Sequence, residues 1–320
     1  MSADEPVTSA AGSAGELLAA LAGPEGRADP YPLYDRLRAL GPAVVGPDGT
    51  LVVTGYRQCS ALVRDHRLRK APELLLTAAG YPAWRDRPSL RLMYTSILVL
   101  NPPAHTRLRR LVSAAFTVRR VEELRPAVAR IVAEACEQIA GETDFVAGFA
   151  YPLPVTVIGE LLGIPAADRP MFQDLARDWT AVLEKLSPVA VDRADAAASA
   201  LGAYLADLAE HRRAHPAGDL ISALAAAAEA GDTLTREELV TMAALLLAAG
   251  FETTTGLLSN GLVALLAHPG QAARLRTEAG LAAAAVEELL RYDSPVQILS
   301  TRTAPAGVFS VDAGALFGAL

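Results

Sequence analysis

The sequence predicts a mainly α-helical protein with a minor β component. Apolar residues recur at spacings of three and four over most of the 320 residues. One such pattern, Arg236 to Ala267, runs for about 32 residues and so roughly 48 Å, longer than an average domain is wide. Against this, only one short stretch near the amino terminus has the pattern of a hairpin.

Taken in order, residues 1–29 are rich in Ala, Gly and Ser and read as a flexible arm. DPYPLYDRLRALGP is an amphipathic helix that starts beside Pro32 and stops at Gly41-Pro42, and PAVVGPDGTLVVTG gives two short strands around a Pro-Asp-Gly turn. Helical spacing resumes from Tyr56 to Asp65. It continues over 104–116, 119–140, 152–163, 168–186, 190–214, 218–230, 236–267 and 281–292. No internal repeat and no long linker interrupts it, so residues 30–304 read as one domain and 305–320 as a tail.

Composition limits the function. With 52% hydrophobic and 20% charged residues the chain can bury a large core. A net charge of −7 argues against nucleic acid as a partner, because neutralising phosphates needs a surplus of Lys and Arg. The amino terminus has neither a basic n-region nor an uninterrupted apolar core, so no signal peptide or membrane anchor is expected and the cytoplasm is the default. Cys59 and Cys136 each fall among apolar neighbours at helical spacing and read as buried structural thiols, with no metal site.

Three constellations carry chemistry. The first is AAGFETTTGL, residues 248–257, inside the long helix that opens with Thr235 and Glu238 at capping-box spacing. Glycine costs about 1 kcal/mol against Ala there and threonine loses rotamer freedom, so packing or function selects them. Two accounts stand. Small residues let a neighbouring helix approach while hydroxyls bond back to carbonyls one turn earlier. Alternatively Gly250 opens room beside a cofactor, with Glu252 and Thr253 supplying an acid and an alcohol to a buried proton route. In a helix this apolar, Glu252 is expected to be enclosed, with Gly250 to Thr253 facing a cavity.

The second is NPPAHTRLRRLVSAAFT, residues 101–117, where His105 and Arg109 share a helix face and can meet one anionic group, while Arg107 and Arg110 point elsewhere. A solvated basic helix is the plainer account. The third is VEELLRYDSPVQILSTRTA, residues 286–304, with Glu288 and Arg291 at i, i+3 and Glu287 also placed to pair with Arg291.

In order and separation, these three closely resemble the bacterial soluble cytochromes P450, over about Asp29 to Ala304. The resemblance implies a P450-like fold and haem b as cofactor. It implies that His105 and Arg109 bind haem propionates from the C helix, and Arg302 from the strand after the K helix. Ala249, Gly250, Glu252 and Thr253 match the I-helix groove where oxygen is bound and protonated. Glu288 and Arg291 match the structural pair of the K helix, and Pro295, Val296, Ile298 and Leu299 would line the substrate pocket. The segments 71–100 and 171–190 would shape it too, with Leu74, Leu75, Met93, Ile97 and Leu98 suggesting an apolar cavity.

One family feature is not found. The Phe-Gly-x-Gly-x-x-x-Cys loop that ligates the iron has no counterpart, no cysteine follows Cys136, and the text after Ala304 reads PAGVFSVDAGALFGAL. The expectation is a monooxygenase of secondary metabolism, hydroxylating or epoxidising a small apolar molecule with electrons from a ferredoxin-type donor. This chain would be a truncated or frame-shifted, catalytically impaired form, incomplete at the C-terminus. The alternative is a non-enzymatic P450-like helper that activates a glycosyltransferase, for which the retained propionate and acid-alcohol residues have no use.

Overall fold

In the computed structural model the residues described are 6–46, 49–184, 186–229, 232–297, 299–303 and 316–319. Two compact units are present, one of residues 1–72 with 296–320 and one of residues 73–295.

The first unit opens with α1 (Pro6–Ala22) and α2 (Pro24–Ala28). The stretch read as a flexible arm is thus helical, and Ala14 and Leu17 pack with Leu33, Leu37, Val44 and Val52 in a small core. Helix α3 (Tyr31–Leu40) ends at Gly41, whose φ of 143° turns the chain into β1 (Ala43–Val45). The predicted hairpin forms: β1 pairs antiparallel with β2 (Leu51–Val53). Helix α4 follows over Tyr56–Arg64.

The second unit holds the main core. It contains α5 (Pro72–Ala78), α6 (Pro88–Tyr94), α7 (Ala104–Ala115), α8 (Val118–Glu123) and α9 (Arg125–Glu137). A π-helical turn at Val146–Ala150 leads into α10 (Pro152–Leu162), then α11 (Arg169–Glu184), α12 (Pro188–Ala214) and α13 (Leu220–Ala226). The helix expected to reach residue 230 stops at Ala226. A short antiparallel pair, β3 (Ala228–Glu229) and β4 (Asp232–Thr233), takes over.

Helix α14 spans Arg236–Ala267 as the sequence predicts, and its capping box is complete: Thr235 Oγ1 accepts from the Glu238 amide at 3.2 Å while Glu238 Oε2 accepts from the Thr235 amide at 2.9 Å. Helices α15 (Pro269–Thr277) and α16 (Ala282–Tyr292) follow. Pro269-Gly270, read as a stop, also begins α15, since proline at a first helical turn loses no intrahelical bond.

Back in the first unit, β5 (Leu299–Thr303) and β6 (Leu316–Ala319) complete a four-stranded sheet of order β1-β2-β6-β5. Strand β6 lies parallel to β2 and antiparallel to β5.

The long helix is buried along one half. Leu239, Met242, Ala243, Ala244, Leu247 and Phe251 join Leu108, Leu111, Val155 and Trp179 in the main core, where α6, α10, α12 and α13 crowd it. Beyond Phe251, α16 flanks it at Gly261 and Pro295 covers Gly256, while Val263 and Leu266 are exposed. α14 is long and apolar enough to cross a membrane, but 56% of its most apolar window is buried inside the protein, as in a core helix.

The cysteines depart from expectation. Cys59 is half-buried and Cys136 exposed, both as free thiols. Ile131 and Ala135 define the inward stripe of α9. One residue further rotates by about 100°, which carries Cys136 out.

Candidate functional site

The Gly250 position separates the two accounts of the polar stretch in α14. A Cβ there would meet Ile158 Cδ1 of α10 at 3.1 Å. The glycine therefore admits a neighbouring helix, as the plainer account has it. The Thr253 hydroxyl donates to the Ala249 carbonyl at 2.8 Å, one turn back, as the plainer account requires.

Ala249, Glu252 and Thr253 form the other face, and all three are exposed. This corrects the expected enclosure. The apolar run of α14 averages over a helix whose part in the main core ends at Phe251, so the acid begins where that core stops. Phe251 itself is buried edge-to-face against Tyr151, with ring centroids 5.6 Å apart.

Tyr151, which sequence reasoning did not single out, lies near this acid, and Arg177 lies over the Tyr151 ring. The Tyr151 phenol donates to the Gln173 carbonyl at 3.2 Å, and the Arg177 guanidinium lies 5.5 Å from its ring centroid. Burial chiefly holds the Tyr151 hydroxyl above its ordinary pKa, Arg177 opposes that, and the Glu252 charge adds to it. No sequence spacing links positions 151, 177 and 252.

On α7, Pro103 stands just before the first turn, as expected. His105 is half-buried and Arg109 exposed, one turn apart on one face. Among the described residues neither side chain makes a hydrogen bond or ion pair. Arg107 is the contrast. Its Nε donates to Asp232 Oδ2 at 2.6 Å, its Nη1 to Glu238 Oε1 at 2.5 Å and its Nη2 to the Thr233 carbonyl at 2.9 Å.

Arg107 thereby ties α7 to the first turn of α14, a link the sequence did not reveal. Burial pushes the Glu238 carboxyl up, but Arg107 and Thr235 together hold it below its ordinary value. The Arg107 hydrogen bond holds Asp232 down as well. From Glu238 to Glu252 is about 21 Å along the helix axis. The structure thus anchors the His105 end of α7 near the start of α14, with the 249–253 face several turns on.

Glu288 and Arg291 pair as expected, in fork geometry at 2.7 Å for both contacts, and Arg291 takes Glu288 rather than Glu287. The pair is exposed on α16. It borders a cavity of about 380 Å³ between α14, α15 and α16, walled by Leu265, His268, Leu289 and Tyr292. Pro295 closes over Gly256, where a Cβ would stand 2.9 Å from the proline ring. Val296 is 47% exposed.

Ile298 lies outside the described residues, as do the side chains of Leu299 and Arg302, although the backbone of both belongs to β5. Of the apolar residues expected around a pocket, Met93 is 1% exposed and belongs to the main core, whereas Leu74 and Leu98 are exposed.

A family model described as Cytochrome P450 matches residues 155–308. The chain is similar to cytochrome P450 monooxygenase PikC of Streptomyces venezuelae, 42% identical over 284 residues, covering 86% of this chain and 65% of that protein. It is 38% identical over 278 residues to 6-deoxyerythronolide B hydroxylase of Saccharopolyspora erythraea, covering 83% of this chain and 68% of that one.

Among solved structures, cytochrome P450 PksS of Bacillus subtilis 168 superimposes with a TM-score of 0.80 at 32% identity, over 93% of this chain and 76% of that chain. P450BioI, solved in complex with an acyl carrier protein bearing hexadec-9Z-enoic acid, gives 0.81 at 32% identity over 91% and 76%. The chain spans 65% of the length of PikC and of the vitamin D(3) 25-hydroxylase of Pseudonocardia autotrophica.

Proposed function

The chain belongs to the cytochrome P450 family, and from that premise we propose that its residues serve a haem-dependent monooxygenase acting on a small apolar molecule of secondary metabolism. The observation that carries the reading is the pair His105 and Arg109: two donors one turn apart, unpaired among the described residues, while their neighbour Arg107 is fully engaged. Such a pair suits the carboxylates of a haem b edge. Arg302 would join them. When bound, haem supplies an iron centre at which oxygen is activated.

This chain's own residues would do the rest. Ala249 would present a small side chain on the exposed face of α14, with the Gly250 backbone beside it. Glu252 and Thr253 hold and pass a proton, the Thr253 hydroxyl being oriented by its bond to the Ala249 carbonyl. Glu288 and Arg291 would brace α16, and Pro295 would line one side of the substrate space. Electrons would come from a ferredoxin-type donor, in the cytoplasm.

The fit is incomplete at the axial ligand. Neither cysteine stands on α7 or α14: Cys59 lies on α4 with its Sγ donating to the Val53 carbonyl at 3.3 Å, and Cys136 stands exposed on α9. We therefore infer that residues 1–320 by themselves bind haem weakly or without thiolate ligation, and do not oxidise substrate. The helper reading, in which the chain activates a glycosyltransferase without haem, leaves the unpaired His105 and Arg109 with no task. Titration of the purified chain with hemin tests the proposal. Replacing both His105 and Arg109 by Ala should weaken binding by about tenfold or more, and unchanged affinity would refute the propionate assignment.

A further inference from the structure

A second cavity, about 490 Å³ in volume, lies between α6, α12 and the first turns of α14. It shares no residue with the haem proposal. Its floor is made of small residues of α12, among them Ala198, Gly202 and Ala206, and Leu92 and Val240 add apolar walls. A Cβ on Gly202 would come no nearer than 4.0 Å to Val240 Cγ1, so the two helices leave open space between them here.

The polar groups at this cavity are unusual. Arg91 of α6 and Arg236 of α14 stand exposed at its rim, with Glu237 beside them. Among the described residues none of these three side chains has a hydrogen bond or an ion pair. Two cations against one carboxylate leave a net positive rim. Deeper, Thr241 lines the cavity and is 6% exposed.

A helical threonine this buried satisfies its hydroxyl by donating to the carbonyl four residues back. Thr95 and Ser199, which line the same cavity, do so to Arg91 and Asp195 at 2.8 and 2.7 Å. Thr156, Thr180, Thr253 and Thr277 do the same elsewhere. Thr241 does not, and its hydroxyl makes no hydrogen bond among the described residues. Thr241 Oγ1 is not among the fully buried unpartnered side-chain atoms, so it is reached from the cavity that Thr241 lines and can donate there to a ligand.

We propose that the cavity between α6, α12 and α14 binds a small organic carboxylate with an apolar body, its head group held by Arg91, Arg236 and the Thr241 hydroxyl and its body lying on the Gly202 floor. Two guanidiniums set the sign of the charge, since a neutral or cationic head would leave them unmatched. The small-residue floor sets the apolar body, which inorganic anions lack.

The test is calorimetric titration of the full chain with sodium octanoate, set beside octan-1-ol, octylamine and inorganic phosphate. Octanoate should bind, with the alcohol and amine at least about tenfold weaker. The double variant Arg91→Ala with Arg236→Ala, changed only at exposed positions, should lose octanoate binding by at least about tenfold. Thr241→Val, which keeps the shape and removes the hydroxyl, should weaken it severalfold. In the parent chain, octanoate should slow amide hydrogen exchange in α6 and the first turns of α14. Equal binding of octanoate and octan-1-ol, or full binding by the arginine double variant, would overturn the proposal. Phosphate binding as tight as octanoate would overturn the apolar half of it, and no octanoate binding at all would overturn it entirely.

Discussion

A Cβ on Gly250 would stand 3.1 Å from Ile158 Cδ1, so α10 and α14 cross where one of them has no side chain. The contact is with the flexible end of an isoleucine, which can yield a few tenths of an ångström. Gly250→Ala should therefore stay within about 1 kcal/mol of the parent, the helix-propensity gain offsetting slight crowding. Gly250→Leu should cost about 1–3 kcal/mol through overpacking. Urea denaturation of the two variants checks this, and a Leu variant as stable as the parent would show that the crossing is not close.

Arg107 joins α7 to Asp232 and Glu238, and the consequence is a stability that depends on pH. Both carboxyls sit below their ordinary values in the folded protein. Their contribution is therefore complete above the unfolded carboxylate range, near pH 4, and is lost as pH falls through the lower folded values. Arg107 itself is raised above an already high value and does not titrate in this range. Arg107→Ala should lower the melting temperature by a few degrees at pH 7, and the two melting curves should converge as the pH drops below about 4. Parallel loss in both proteins down to the lowest pH would contradict the link.

The two thiols should react at different rates. Cys136 is exposed, whereas Cys59 is half-buried, bonded to the Val53 carbonyl and raised in pKa by burial. With a thiol-specific chromogenic reagent on the folded chain, one thiol should react fast and the other slowly. Cys136→Ser should remove the fast phase, and its survival in that variant would reverse the assignment.

Much of the helical framework was legible because its signals are local. The limits of α7 and α14 follow from Pro103 and from the Thr235 and Glu238 capping box, which act within a few residues. The pairing of Glu288 with Arg291 was legible for the same reason. What could not be read is set by partners far along the chain. The Ala-rich stretch taken for an arm is helical, alanine being the strongest helix former, and Ala14 and Leu17 find cover only on residues of α3 and the hairpin.

Helix α15 was missed because it buries no residue and so has no apolar stripe. The parallel pairing of β2 with β6 joins residues more than 260 positions apart. The exposure of Glu252 belongs to the same class. Periodicity identifies a helix and its mean apolarity, but how many helices flank each half depends on tertiary packing. Tyr151 near that acid, Arg177 over the Tyr151 ring, and Asp232 on Arg107 likewise meet only once the chain is folded.

The family of this chain is settled by its relatives, and the residues most open to test are those toward the iron. The absorption spectrum of the reduced, carbon-monoxide-bound chain, reconstituted with hemin, tests that account most directly. Cys59, on α4 and bonded to the Val53 carbonyl, and Cys136, exposed on α9, lie on neither α7 nor α14, where the residues proposed for haem stand. The expected result is therefore no thiolate-type Soret band from these 320 residues. A thiolate-type band from the same chain, abolished by changing either cysteine to Ser, would contradict the account and identify the ligand.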